Sequence, residues 1–266
     1  VSTTYTHGHH ESVLRSHRWR TAENSAAYLL PELRPGMRLL DVGCGPGTLT
    51  VDLARRVTPG EVIGVDRSAA VLDLARAEAA GLDGVTFEVA DVMSLPYEDA
   101  SFDVVHAHQV LQHLADPVGA LREMRRVTRP GGLVAVQDAD YAAMTWHPAS
   151  RGLDDWLELY HEVTEANGAE ADAGRRVLAW ALEAGLDATR LTPGASSWCY
   201  ATSDDRAWWS GLWAERVTSS DFARQAVEHG LADDVALEAL AEAWRSWGSA
   251  PGGWFAILHG HVLARV

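Results

Sequence analysis

Leu39-Leu40-Asp41-Val42-Gly43-Cys44-Gly45-Pro46-Gly47-Thr48-Leu49 is an apolar run, then an acid, then glycines at alternate positions that open into a helical pattern. Three glycines in five residues permit a tight strand-to-helix turn and let backbone N–H groups approach a ligand with no side chain in the way. The segment therefore reads as a strand, a ligand-cradling loop and a helix N-terminus.

Outward from this loop the same grammar repeats. Short apolar runs, MRLLDV (37–42), EVIGVD (61–66), VTFEVAD (85–91), FDVVHA (102–107) and GLVAVQD (132–138), alternate with amphipathic stretches at 49–57, 69–80, 110–114 and 118–127. Alternation of this kind predicts a parallel sheet with right-handed crossovers. Before it, residues 11–31 carry a helical pattern that stops at Pro31 and again at Pro35 and Gly36. Beyond Asp138, helices are expected near 151–166, 173–184, 204–216, 220–229 and 233–247. Two late strands, 188–200 and 254–266, are expected to pair and complete the sheet. The fold class is thus α/β, a doubly wound, mostly parallel sheet of seven strands with a helical cap inserted before the last strand. Within one integrated domain, residues 1–36 are expected to form an N-terminal helical lid, 37–140 a cofactor-binding core, and 141–266 the acceptor-side helices, cap and last two strands.

A nucleotide cofactor next needs a carboxylate for its ribose diol, and Asp66 supplies one at the end of the second strand. Glycines followed by an acid about 20 residues on also fit a nicotinamide dinucleotide, so this pair does not choose between cofactors. Three features shift the balance. The glycine spacing is GxGxG, with Thr48 where the dinucleotide pattern places its third glycine; Asp41 precedes the first glycine; and Asp91 ends the third strand, where it can accept from an adenine amino group.

With LLDVGCGPG (39–47), GVD (64–66), ADVMSLPYEDASFDVV (90–105), VLQHLADP (110–117) and RPGG (129–132), the chain resembles the class I S-adenosylmethionine-dependent methyltransferases, particularly the ubiquinone and menaquinone biosynthesis C-methyltransferases. The resemblance covers about residues 37–140. It implies a Rossmann-like core and S-adenosyl-L-methionine as cofactor, with S-adenosyl-L-homocysteine as product. It implies that Gly43, Cys44 and Gly45 lie against the methionine part, with Asp41 organising its amino group through the loop or a water. Asp66 would take the ribose hydroxyls and Arg67 would lie along the adenine. Asp91 would accept from the adenine amino group and the Val92 N–H would donate to a ring nitrogen. Backbone groups around Ala107 would meet the methionine amino group. Asp66 also reads as a helix cap and Asp91 as a turn residue.

Outside those motifs the residues speak for themselves. Tyr5 and Arg20 are candidate contacts to the methionine end, Arg20 by pairing a carboxylate. His113, a few residues past the fourth strand, is the candidate general base, with packing at the start of a helix as its other reading. His108, Gln109, Asp138, Asp140 and Tyr141 share that sheet edge. His7, His9, His10 and Glu11 cluster, but spacing alone makes no metal site, and no metal is expected.

Composition removes alternatives. All 22 basic residues are arginine, so reactions that need a lysine ammonium, including GxxxxGK phosphate loops and Schiff-base chemistry, are excluded. A formal charge of −15 disfavours nucleic acid and anionic lipid as partners. Two cysteines, Cys44 and Cys199, build no disulfide framework. No apolar run reaches a membrane span, and the polar opening lacks a basic start and apolar stretch, so a cytoplasmic location is expected. Nine of the eleven tryptophans follow Ser150; they suit an aromatic acceptor pocket, a subunit contact such as a homodimer, or the core of the cap. The leading expectation is methyl transfer to a small aromatic or quinone-like molecule at carbon, oxygen or nitrogen. A nicotinamide-dependent oxidoreductase and a non-catalytic cofactor-binding or interaction protein are the alternatives.

Overall fold

The structure, a computed structural model, describes residues 6, 8 and 10–266. In chain order the elements are α1 (Glu11–Arg18), α2 (Ala22–Ser25), β1 (Leu39–Val42), α3 (Thr48–Val57), β2 (Val62–Asp66), α4 (Ala69–Glu78), β3 (Val85–Val89), β4 (Phe102–His108), α5 (Pro117–Val127), β5 (Thr128–His147), α6 (Arg151–Ala166), α7 (Val177–Glu183), β6 (Leu191–Tyr200), α8 (Ser203–Ser219), α9 (Asp221–Glu228), α10 (Asp234–Ser249) and β7 (Trp254–Arg265). The strands form one seven-stranded sheet in the order β3-β2-β1-β4-β5-β7-β6. Only β7 among them runs against its neighbours, antiparallel to both β5 and β6. The order reverses between β1 and β4, and in open sheets of this kind the crevice beyond the carboxyl ends at such a reversal is where ligands bind.

Strands β1 and β4 are buried on both faces, which is why LLDV and VVHA read as near-continuous apolar runs. Under one face Leu39, Val104, Leu133 and Ala135 pack against Leu29, Leu49 and Leu53. On the other, Leu40, Val105 and Val134 pack against Ala120, Met124 and Val177. Helix starts carry local signals: the Ser68 hydroxyl caps α4, and Asp116 caps α5 with Pro117 in the first turn.

The late strands pair as expected, Tyr200 opposite Phe255 and Leu191 opposite Ala264. Helices α8, α9 and α10 lie between them in sequence and share a core with α6. There Trp156 meets Trp213 at 4.5 Å and Trp244 at 4.8 Å, both edge to face. The indole N–H groups of Trp156 and Trp244 find no oxygen acceptor among the described residues; edge-to-face packing offers them ring faces instead.

Several boundaries differ from expectation. The pattern over 11–31 is two helices, because α1 ends at Arg18 and Thr21 starts α2 with a capping box in which Asn24 N–H donates to the Thr21 hydroxyl and Thr21 N–H to the Asn24 side chain. Residues 110–114 form only a 3-10 turn, Leu111–His113, and 173–184 divides into a 3-10 turn and α7. Residues 188–190 are a 3-10 turn ahead of β6. Strand β5 runs on to His147, with an irregularity in its pairing to β7 between Asp140 and Thr145.

Candidate active site

The loop after β1 turns with Gly43, Gly45 and Gly47 at φ of 66°, 55° and 81°, the left-handed region that a Cβ disfavours. Space enforces the same choice at two of them. A Cβ on Gly43 would lie 2.4 Å from Val110 Cγ2, and one on Gly47 would lie 2.7 Å from Ala75 Cβ. The loop thereby brings the start of α3 close against the sheet.

Two carboxylates brace it from below. Asp66 Oδ2 accepts from Gly45 N–H at 3.1 Å, and its Oδ1 accepts from Ser68 N–H at 2.9 Å. Asp41, 2 % exposed, accepts from the Thr50 hydroxyl at 2.5 Å and faces His106 Nδ1 at 2.7 Å. A carboxylate taken out of water needs such partners in place of its hydration.

Above the loop lies a cleft of about 380 Å³, within the size range of small-molecule sites. Of the residues expected to hold a cofactor, Asp41, Gly43, Cys44, Gly45, Asp66, Arg67, Val92 and Arg20 line it, as does His113. Asp91 and Ala107 are not among its lining residues. Asp91 accepts from Met93 N–H at 3.0 Å and lies 3.8 Å from Arg67, while Ala107 is packed into the sheet core. Tyr5 lies outside the described residues, as do His7 and His9. His10 caps α1, accepting from Ser12 N–H at 3.3 Å. Burial holds the Cys44 thiol well above its ordinary pKa, which makes it an inert wall, not a nucleophile.

A smaller cavity, about 30 Å³, adjoins the cleft. Its walls come from distant parts of the chain: Trp19 from the end of α1, Tyr141 from β5, Trp198 and Tyr200 from β6, and Trp208, Trp209 and Arg216 from α8. His17, Arg20, Gln109 and His113 line both spaces and form the wall they share. Gln109 holds a positive φ of 55°, a conformation that costs a non-glycine residue about 1 kcal/mol or more. Its N–H donates to Gln137 O at 2.7 Å, its Oε1 accepts from Arg20 at 2.7 Å, and its amide meets His259 Nε2 at 3.0 Å.

The groups around this wall are shifted by their surroundings. Burial, followed by the charge of Arg20, lowers His113 to about 3 and His259 to about 3. The same causes push His108 well down, and neither of its ring nitrogens has a partner among the described residues. Burial raises Asp138 to about 7, against the backbone hydrogen bonds, Gln112 N–H first, that favour its charged form. All three imidazoles are therefore neutral near pH 7, and a neutral imidazole has a lone pair to offer a proton. A pKa near 3 makes His113 a weak base.

Sequence reasoning places His108, Gln109 and Tyr141 on this edge but does not find His17, Tyr200 or Arg216. The tryptophan clustering is the available signal for the second cavity.

A nucleotide-type cleft backed by an aromatic chamber is the arrangement that results, and likeness to known proteins gives it a family. A family described as a methyltransferase domain matches residues 33–191. The chain belongs to the class I S-adenosylmethionine-dependent methyltransferases. This methyltransferase is 36 % identical over 270 residues to an uncharacterized methyltransferase of Schizosaccharomyces pombe, covering 97 % of this chain and 95 % of that one. It is 42 % identical over 103 residues to a demethylmenaquinone methyltransferase of Staphylococcus aureus, covering 38 % of this chain and 43 % of that one. The YcgJ protein of Bacillus subtilis shares its fold, with a TM-score of 0.55 at 22 % identity over 97 % of this chain and 99 % of that one. No described helix of the methyltransferase is long and apolar enough to cross a membrane.

Proposed function

We propose that the methyltransferase acts on a small molecule, aromatic or quinone-like, that lies against the wall shared by the two spaces and reaches into the second cavity, with the cofactor in the cleft over the glycine loop. The observation that carries this reading is the wall shared by the two spaces: His17, Arg20, Gln109 and His113 border both, and the far side is built of Trp19, Trp198, Tyr200, Trp208 and Trp209. Aromatic walls favour flat apolar acceptors. The residues present fit S-adenosylmethionine. The cleft is large enough, the loop's glycines bring the backbone to it with no side chain in the way, and Asp66 and Arg67 line it.

When bound, the cofactor supplies a methyl group on a positively charged sulfur, transferred by in-line displacement. The chain's own contribution is then alignment and exclusion of water. In this reading Gly43, Cys44 and Gly45 bear on the methionine part, with Asp41 beneath them, and Asp66 takes the ribose hydroxyls. Arg67 and the Val92 N–H serve the adenine. Arg20, with Gln109 fixing its guanidinium, pairs the cofactor's carboxylate. His113 takes the acceptor's proton where one is released, a weak role that suits an acceptor already acidic. Residues 1–36 act as the lid and residues 141–266 choose the acceptor. The partial likeness to a demethylmenaquinone methyltransferase supports the cofactor half and leaves the acceptor half to its own walls.

Calorimetric titration with S-adenosylmethionine, S-adenosylhomocysteine and NADH tests the cofactor assignment. The first two should bind at micromolar Kd and NADH should not. Asp66→Ala should weaken binding at least about tenfold, since a hydrogen bond to a charged group is worth about 1.5–3 kcal/mol. Binding of NADH alone would return the chain to the oxidoreductase reading. A screen of phenolic, indolic and quinone acceptors for methylated product then tests the acceptor class.

A further inference from the structure

The second cavity is chemically lopsided. Among the described residues that line it none is aspartate or glutamate, two are arginines, and Tyr200 offers it a hydroxyl. In a chain of net charge −15, a wall without carboxylates that carries the Arg216 guanidinium is a local positive field even when Arg20 serves the cofactor, and such a field gathers anions.

Tyr200 adds an observation independent of charge. The residue is 2 % exposed and its Oη has no hydrogen-bond partner among the described residues, although buried hydroxyls are almost always satisfied. Nor can it turn to find one. Its backbone is locked in β6 opposite Phe255, its ring stacks on Trp209 at 4.5 Å and 8°, and Trp19 and Trp208 close on it at 5.8 and 5.9 Å. A donor held rigidly in a closed aromatic chamber is a position built to meet an oxygen.

Size refines the ligand. About 30 Å³ has room for one or two waters, hence for a carboxylate-sized group and for no ring. The larger part of an acceptor must lie nearer the shared wall, or displace Trp19, which is already 37 % exposed.

We propose that the acceptor is an organic carboxylate whose oxygens enter this chamber and accept from Tyr200 Oη in the field of Arg216, while the atom to be methylated faces the wall of His17, Arg20, Gln109 and His113. This rests on the reading of the second cavity as the acceptor site. Tyr200 is then a specificity-determining residue, and Arg216, tied to Ser12 O at 3.1 Å and the Ser16 hydroxyl at 3.0 Å, holds α1 against the chamber while lending its charge.

The test uses the full chain saturated with S-adenosylhomocysteine, titrated with benzoate, indole-3-acetate and hexanoate and with the amide of each. At least one carboxylate should bind about tenfold or more tighter than its amide, because charge-assisted hydrogen bonds are roughly twice as strong as neutral ones. Tyr200→Phe should remove most of that preference and leave the Kd for S-adenosylhomocysteine unchanged, which also shows that the variant folds. Amides binding as tightly as carboxylates, no carboxylate binding at all, or an unaltered preference in Tyr200→Phe each overturns the proposal. If carboxylates bind but compete with S-adenosylhomocysteine, the anion site lies in the cofactor cleft, and the two-cavity reading fails with the proposal.

Discussion

Asp41 Oδ1 and His106 Nδ1 lie 2.7 Å apart on adjacent strands, paired residue for residue in the register of β1 and β4, and Thr50 from α3 closes the other carboxylate oxygen. Both oxygens are thus engaged within the protein, so the acid before the glycine loop anchors strand, neighbouring strand and helix to one point. Asp41 also lines the cleft above the loop.

His106→Phe should therefore act first on stability. Removing one partner of a buried charge leaves that charge uncompensated, at about 3–5 kcal/mol. Denaturant unfolding should show a loss of that order, and Asp41→Asn combined with His106→Phe should restore part of it. Full additivity of the two losses would show that the pair is not coupled.

Gly43→Ala should cripple the loop, because the new Cβ meets Val110 Cγ2 at 2.4 Å and the residue keeps a positive φ. Cofactor affinity should fall at least about tenfold, in line with overpacking and backbone terms of about 1–3 kcal/mol each. Adding Val110→Ala relieves the contact and leaves the φ strain, so it should recover some affinity and not all. Equal affinities in the single and double variants would place the whole effect in the backbone.

Buried titrating groups set opposite slopes of stability against pH. Asp138 has its pKa raised by burial to about 7, so as pH rises the native state holds its proton longer than the unfolded chain does. Its penalty grows as pH rises from about 4 to about 7 and is constant above. Asp138→Asn should match the parent near pH 4 and exceed it at pH 8 by a few kcal/mol, since each tenfold difference in proton affinity between the folded and unfolded chain is worth about 1.4 kcal/mol. His113 and His259, lowered to about 3 by burial, behave the other way. Their contribution is whole above about 6.5 and is lost as pH falls toward 3. With His108 pushed down in the same way, three histidines stand against one aspartate, and the parent should lose stability below about pH 6.5, as urea midpoints across the range would show.

Trp213→Ala should unfold the cap's core, since the ring is fully buried between Trp156 at 4.5 Å and Trp244 at 5.7 Å. Large aromatic truncations of this kind cost about 3–5 kcal/mol. Trp19→Ala, at the exposed edge of the second cavity, should cost less than about 1 kcal/mol and, with the acceptor placed as proposed, alter its KM. Thermal unfolding and steady-state kinetics on the two variants separate packing from recognition.

The part of this molecule that can be read from residues alone is the part that is local. The strand, acid, glycine turn and helix at 39–57 are consecutive, and their meaning survives without any distant contact. Equally local is the alternation up to Asp138, and the two late apolar runs announce themselves as strands even though three helices separate the partners. The second cavity is the opposite case. Arg216 meets Ser12 and Ser16 from the far end of the chain, and no period in the sequence announces such a meeting. The break in the first helix has a signal, Thr21 three residues before Asn24, which the apolar spacing around it masks. The overrun of β5 is hidden because Asp138 and Asp140 read as the polar end of a strand, whereas both are buried and hydrogen-bonded, Asp140 to Arg175 at 2.6 and 2.7 Å. The Asp91 carboxylate, expected at the adenine end, accepts from Met93 N–H on one oxygen and lies 3.8 Å from Arg67 on the other.

The common wall of His17, Arg20, Gln109 and His113 ties the two cavities together thermodynamically. Whatever fills one space fixes side chains that face the other, and coupling between two binding equilibria is reciprocal. The factor by which the cofactor tightens the acceptor is the factor by which the acceptor tightens the cofactor. Titration of S-adenosylhomocysteine with and without an acceptor, and of the acceptor with and without S-adenosylhomocysteine, should therefore return one and the same factor.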